Sequence, residues 1–326
     1  MSDSKPQALR QVMQSAYYPQ QAIEITINPS AMQQNPLAAP QSLPQRAYNP
    51  FGFADDFLSR ETRLNPQSPV LAHGIVQGGD AWLFAAASPR AARLTQLLLG
   101  ERLTIHKQEE DFFLVQNRSD AHCGWIHKSF VYSLKMQAPE AKWRMRCNAA
   151  VTVEPDFKSP LRLCVPMGAL INISAVHDDY VQVENIGWVH KAQVESVDEC
   201  HDVVEIARSL LGCAYLWGGR NPASGLDCSA LTQICYKFAG RSLPRDSDLQ
   251  RNYLYRNHQR VVAAQMQAGD LIFIPGHTMI YAGNNRVIHA TAAFMRVVEE
   301  DFAVLIKRLR SKQAGKLAIT AFHWMQ

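Results

Sequence analysis

The amino-acid sequence predicts an α+β fold in its last third, preceded by two small all-β barrels. Three observations carry that expectation. Beyond residue 203, apolar-periodic helical segments give way to a run of short strands. One strand pattern occurs twice between residues 97 and 194. Within each copy, short alternating segments are separated by turn residues.

With 326 residues the chain has room for two or three domains. Its formal charge of +4 comes from scattered Lys and Arg, with no basic run of the kind that binds nucleic acid; an anionic peptide or polymer is compatible. Seven cysteines form an odd set without CxxC spacing, which points to reduced thiols and away from a metal site or a disulfide framework. The opening stretch MSDSKPQALRQVMQSAYYPQQ lacks an apolar core of signal-peptide length, and no later segment approaches about eighteen uninterrupted apolar residues. The expectation is a cytoplasmic protein with no membrane partner.

Residues 1–66 are rich in Gln, Pro, Ala and Asn, and their prolines break any long element. Short helices are expected near 7–17 and 53–60, and aromatic residues such as Tyr48, Phe51 and Phe57 argue for docking on other domains. No chemistry is assigned to this extension. Next come the repeats. LLLGERLTIHKQEEDFFLVQ (97–116) matches VPMGALINISAVHDDYVQVE (165–184), and GWIHKSFV (124–131) matches GWVHKAQV (187–194). Each copy reads as short strands, an acidic turn before an aromatic, and a final Gly-Trp strand, for which a barrel of five or six strands is the compact solution. The copies resemble bacterial Src-homology-3-like barrels, expected at 67–134 and 135–198. Trp125 and Trp188 are each expected to pack their own barrel.

From 199 to 326 the texture changes. Helices are expected over 203–211 and 228–239, and strands over 215–217, 271–274, 278–281, 286–289 and 318–324. Asp227 is an expected N-cap and Gly240 the residue that ends the helix. Cys228 therefore follows a Gly/Pro/Asn/Ser-rich loop and opens a helix. There, unpaired N–H groups and the helix dipole are expected to pull a thiol pKa down toward neutrality. Cys213 and Cys235 read as packing residues.

A thiol nucleophile needs a base, and the base needs an orienting group. His277 and His289 flank a Gly283-Asn284-Asn285 turn. A two-residue Asn284-Asn285 loop would put residue 280 opposite 289 and the two histidines on opposite faces of the sheet. A three-residue loop would put residue 279 opposite 289 and both histidines on one face. Their pairing thus requires an odd-length loop or a bulge.

Taken together, Tyr215-x-Trp217-Gly218-Gly219, Asp227-Cys228-Ser229, Leu243-Pro244-Arg245-x-Ser247-x-x-Gln250, Gly269-Asp270-Leu271, His277 and Ile288-His289-Ala290 resemble the NlpC family of papain-like cell-wall cysteine peptidases. The resemblance implies a papain-like domain at 199–326, with Cys228 as nucleophile, His277 as general base and His289 orienting it. No cofactor or metal is implied. Members with two barrels ahead of this domain cut murein peptides between γ-D-glutamyl and a diamino acid and need a free N-terminal L-Ala. That implies a bacterial protein with a murein peptide, L-Ala-γ-D-Glu-diamino acid, as partner. By the same resemblance Asp227 meets the substrate ammonium, while Tyr215, Trp217, Ser229, Asp246 and Ser247 line the pocket. His122 stands where a tyrosine is more usual in such members. The alternatives are an amidase or hydrolase acting on intact peptidoglycan with the same scaffold, and a non-catalytic wall-binding protein.

Overall fold

A computed structural model describes residues 68–134, 140–312 and 317–325. The helices expected near 7–17 and 53–60 lie outside the described residues. The described chain forms two compact units, one of residues 68–117 and 124–197, the other of residues 118–123 and 198 onward.

Both repeats lie in the first unit. The first copy is an antiparallel seven-stranded sheet running from Ala72–Val76 to Val131–Leu134, closed around Leu83, Leu97, Leu103, Ile105, Val115 and Ile126. The second copy splits into a five-stranded and a three-stranded sheet around Met145, Val151, Val165, Ile171, Val183 and Val189. The recurring Gly-Trp-x-His-Lys has a local cause. His127 and His190 each cap a short 3-10 turn, their Nδ1 atoms accepting from the N–H of Ser129 (3.3 Å) and Ala192 (3.1 Å). The acidic turns recur as well, with Glu110 and Asp178 both left-handed at φ 47° and 45°. One expectation needs correction. Ile126 and Val189 fill the barrels; strand alternation turns Trp125 and Trp188 to the other face, where Trp125 is buried and Trp188 only half-buried.

The two copies meet within this unit at Gly100. Leu170 N–H donates to the Leu99 carbonyl at 2.9 Å, and a Cβ on Gly100 would lie 1.9 Å from the Leu170 carbonyl oxygen. With φ at +82°, glycine is required there twice over.

His106, in the strand Arg102–Glu109, is buried and donates from Nδ1 to the Pro69 carbonyl at 3.0 Å. Burial holds its pKa down at about 4. Below its ordinary pKa near 6.5 the unfolded chain binds a proton that the folded chain refuses, so stability falls as pH drops from about 6.5 to about 4. The expected loss is about 3 kcal/mol. Urea melts of wild type and His106→Gln at pH 7 and pH 4.5 check this: the variant should lose about 2 kcal/mol less on acidification. Equal acid sensitivity would overturn it.

The second unit carries helices α1 (Val203–Ser209), α2 (Cys228–Phe238) and α3 (Ser247–Asn257) ahead of a six-stranded antiparallel sheet. Its strands are β1 (Gln259–Val261), β2 (Leu271–Ile274), β3 (His277–Gly283), β4 (Arg286–Thr291), β5 (Arg296–Asp301) and β6 (Thr320–His323), in the order β1-β6-β2-β3-β4-β5. Helix α4 (Phe302–Lys312) enters before β6. The segment 215–217, expected as a strand, makes only isolated bridges from Ala214 to Arg296 and from Tyr215 to Leu226, because its neighbours turn sharply at Gly218 and Gly225. Helices α3 and α4 and strands β1 and β5 have no counterpart in the expected elements. Helix α3 is mostly polar, so its apolar period is faint, whereas Leu305 of α4 packs with Met279 and Val287 on one face of the sheet. No helix among the described residues is long and apolar enough to cross a membrane.

Candidate active site

Helix α2 begins at Cys228, and Asp227 caps it, accepting the Ala230 N–H at 2.8 Å. Ten of its eleven residues are buried, so the helix that presents the thiol is itself core, and it packs on β3 and β4. The backbone N–H groups of Ser229 and Thr278 lie close enough to the Cys228 sulfur to favour its charged form. Thr278 follows His277 at the start of β3, so the thiol lies against the strand end that carries the base.

The β3–β4 hairpin resolves the register question. Its turn is the two-residue one, with Asn284 and Asn285 both left-handed, the geometry that matches strand twist. A bulge between Tyr281 and Gly283 then shifts the pairing to Tyr281 with Val287 and Ile280 with Ile288, which sets residue 279 opposite 289. His277 and His289 consequently share a face. His277 Nε2 and His289 Nδ1 are 2.7 Å apart.

The polar chain continues beyond the expected residues. His289 Nε2 lies 2.8 Å from Glu300 Oε1, and Arg308 of α4 holds both Glu300 oxygens at 2.7 Å. Pairing of Val287 with Glu300 and of His289 with Val298 places Glu300 diagonally across from His289 on the same face. Glu300 is kept ionised: despite burial, hydrogen bonds from Arg308 and His289 hold its carboxyl below the usual range. Neither Glu300 nor Arg308 was expected. The alternation of β5 could have nominated Glu300, but only after the hairpin register was known.

Burial sets the charge state of the thiol and its neighbour. It pushes Cys228 up to about 12, aided by the Asp227 charge and opposed by the Thr278 N–H, Arg245 and the Ser229 N–H. The expected lowering by the helix start is therefore outweighed, since a thiol only 9% exposed loses more by desolvation than one helix turn returns. Burial and then His289 hold His277 down at about 3, against the raising effects of Asp227 and Glu300. At rest the thiol and the His277 imidazole are both neutral.

The role expected for Asp227 toward a substrate amine is corrected by its partners. Oδ1 accepts from Ala230 N, the Ser229 hydroxyl (3.1 Å) and Arg245 Nη1 (3.0 Å); Oδ2 accepts from Gly218 N (3.0 Å) and Arg245 Nη2 (2.6 Å). Five donors leave no room for an ammonium. Ser229 is likewise committed, accepting from Arg245 Nη1 at 2.7 Å, and does not line an open pocket. Gln250 of α3 locks the arrangement from behind, donating to the carbonyls of Ser229 and Pro244 and accepting from Thr232. That accounts for Arg245 and Gln250 in the Leu-Pro-Arg motif.

Near the thiol, Tyr215 is raised to about 12 by burial and then by Cys228 and Asp227. Trp217 is 66% exposed. Asp246 immediately precedes α3, which Ser247 opens, but the Asp246 side chain makes no cap hydrogen bond and lies 4.0 Å from His122 Nδ1. Burial raises its carboxyl pKa, against the pull of His122 and Arg245. His122 belongs to a segment, 118–123, that packs as part of this unit; Asp120 in it accepts from Gln233 of α2 at 3.1 Å. All seven cysteines are free thiols, and Cys235 is fully buried, as a packing residue should be. Among the described residues no group of three or more His, Cys, Asp and Glu could hold a metal ion.

A thiol at the start of a helix packed on the strand that carries a histidine, itself backed by a second polar residue, defines the papain-like class of thiol-dependent domains. Comparison with known proteins gives the family. Residues 212–311 match the NlpC/P60 family and residues 83–129 match the bacterial dipeptidyl-peptidase Sh3 domain. The chain thus carries an NlpC/P60 domain, of cysteine-peptidase type, preceded by a bacterial dipeptidyl-peptidase Sh3 domain. Among curated relatives, dipeptidyl-peptidase 6 of Lysinibacillus sphaericus is 33% identical over 108 residues, covering 32% of this chain and 38% of the relative. The γ-D-glutamyl-L-lysine dipeptidyl-peptidase of Bacillus subtilis is 26% identical over 219 residues, covering 60% and 71%. Thus the chain spans well under half the length of the first relative and about seven-tenths of the second. The crystal structure of an NlpC/P60 family protein from Bacillus cereus superposes with a TM-score of 0.59 at 20% identity, over 71% of this chain and 94% of that one. That likeness is one of fold.

Proposed function

We propose that this protein is a cysteine peptidase that hydrolyses the γ-D-glutamyl–diamino acid bond of murein peptides carrying a free N-terminal L-Ala, in cytoplasmic cell-wall recycling. The observation that carries the reading is the neutral Cys228 thiol held against the strand end of His277, whose Nε2 is bonded to His289. The name of the Bacillus subtilis relative, a γ-D-glutamyl-L-lysine dipeptidyl-peptidase, supports the same substrate class.

The chemistry follows from the neutral pair. As the Cys228 sulfur attacks the amide carbonyl, its proton passes to His277, and backbone N–H groups at the start of α2 stabilise the oxyanion. Transient imidazolium on His277 is stabilised by His289 and by the Glu300 charge beyond it. That proton then goes to the leaving amine, giving a thioester with the γ-D-glutamyl carbonyl. A water, deprotonated by His277, releases the acid and restores the thiol.

With Asp227 fully engaged by Arg245, the carboxylate suited to the L-Ala ammonium is Asp246, whose oxygens are not spent on capping α3. Asp246→Asn is expected to raise KM for L-Ala-γ-D-Glu-diaminopimelate by about 10- to 100-fold, the worth of one charge-assisted hydrogen bond. N-acetylation of the peptide should have a similar effect on wild type. Undiminished cleavage of the acetylated peptide would remove the free-amine requirement and favour intact peptidoglycan as substrate.

A further inference from the structure

Five side-chain groups extend from the thiol toward the surface in one polar series, and the last two lie beyond the three residues given catalytic roles above. Proton counting along the series is unambiguous. Arg308 can only donate, and it holds both oxygens of Glu300 at 2.7 Å, so Glu300 is an acceptor toward everything else. His289 Nε2, 2.8 Å away, must then carry a proton. A neutral His289 has only that one, so its Nδ1 is a lone pair. His277 Nε2, at 2.7 Å from that lone pair, must be the donor. A neutral His277 is left with its lone pair on Nδ1, the ring nitrogen not used by His289.

We infer that Glu300, clamped by Arg308, is a positioning residue that fixes the tautomers of His289 and His277 and so leaves Nδ1 of His277 as the base for Cys228. The catalytic part of this inference rests on the peptidase reading; the proton arrangement follows from the geometry of the series with both buried imidazoles neutral. Glu300 is well suited to the task. It sits on β5, its guanidinium partner on α4, and both are separate from the hairpin that carries the histidines. Without an acceptor at this place, His289 could hold its proton on either nitrogen. His277 would then face a donor in part of the molecules and turn its own lone pair away from the thiol. The charged groups that act on the histidines are Glu300, Arg308 and Asp227, and Asp227 is neutralised by Arg245.

The test uses the full chain with ¹⁵N-labelled histidine. Long-range ¹H–¹⁵N spectra assign the protonated ring nitrogen of each histidine, and steady-state kinetics with L-Ala-γ-D-Glu-diaminopimelate run beside them. In wild type both His277 and His289 should be Nε2–H tautomers; a proton on Nδ1 of His289 would overturn the inference with no variant needed. In Glu300→Met, His289 should become a mixture of tautomers and kcat should fall about 10- to 100-fold with KM within about twofold. Glu300→Gln keeps an acceptor oxygen and should recover at least about fivefold of that loss. Retention of wild-type tautomers and of kcat within twofold in Glu300→Met would refute the role. Wild-type protein that cleaves no murein peptide, yet shows the assigned tautomers and their loss in Glu300→Met, would refute the peptidase reading and leave the proton arrangement standing.

Discussion

Cys228→Ala is expected to abolish peptide cleavage, lowering kcat by about 10³-fold or more, with His277→Ala nearly as severe and the double variant no worse than either alone. Non-additivity is the informative part. In the neutral resting pair, sulfur attack and proton transfer to His277 are one event, so removing either partner removes the same step. Substrate binding should survive, because Asp246 and Tyr215 do not depend on the sulfur. The measurement is release of L-Ala-γ-D-Glu by mass spectrometry alongside peptide binding by calorimetry. Equal turnover of wild type and Cys228→Ala would dismiss this thiol as the nucleophile, and additive losses would mean that the two side chains act in different steps.

Arg245→Met should destabilise the second unit by about 3–5 kcal/mol, the largest stability effect expected in the molecule. Arg245 and Asp227 are both buried, and the guanidinium supplies two of the five donors around that carboxylate. Removing it strands a negative charge beside the nucleophile. Removing both, in Arg245→Met/Asp227→Leu, should restore part of the loss, since a buried ion pair is worth little against apolar packing while half of one is costly. The α2 cap goes with Asp227, which costs about 1 kcal/mol and limits the recovery. Chemical denaturation of the three variants reads the cycle. A double variant no more stable than Arg245→Met would mean that the cap and the Gly218 contact, not charge balance, explain why Asp227 is there.

Local order was legible in the sequence wherever one element could be read by itself. The loop-to-helix junction at Cys228, the Asp227 cap and the Gly-Trp-x-His-Lys repeats follow from propensity and capping over a few residues. Elements with weak periods were not legible, among them the polar helix α3 and the acidic strand β5. The hairpin is intermediate. Sequence parity required an odd-length loop or a bulge for His277 and His289 to share a face, but the same Asn-Asn turn serves a paired or a bulged ladder, and only packing of the sheet decided for the bulge at residue 282.

By itself, then, the sequence determined which thiol opens a helix, which histidines could share a strand face, and the condition on their pairing, because these are matters of backbone period and turn chemistry along a continuous stretch. Tertiary structure decided the partners. Asp227, eighteen positions from Arg245, became half of a buried ion pair and gave up any claim on substrate. Glu300 and Arg308 joined the histidines from other elements, and burial overrode the helix dipole to keep the thiol protonated at rest. Which donor reaches which acceptor, and how much water each retains, depends on distances between segments far apart in the chain, and no local rule encodes them.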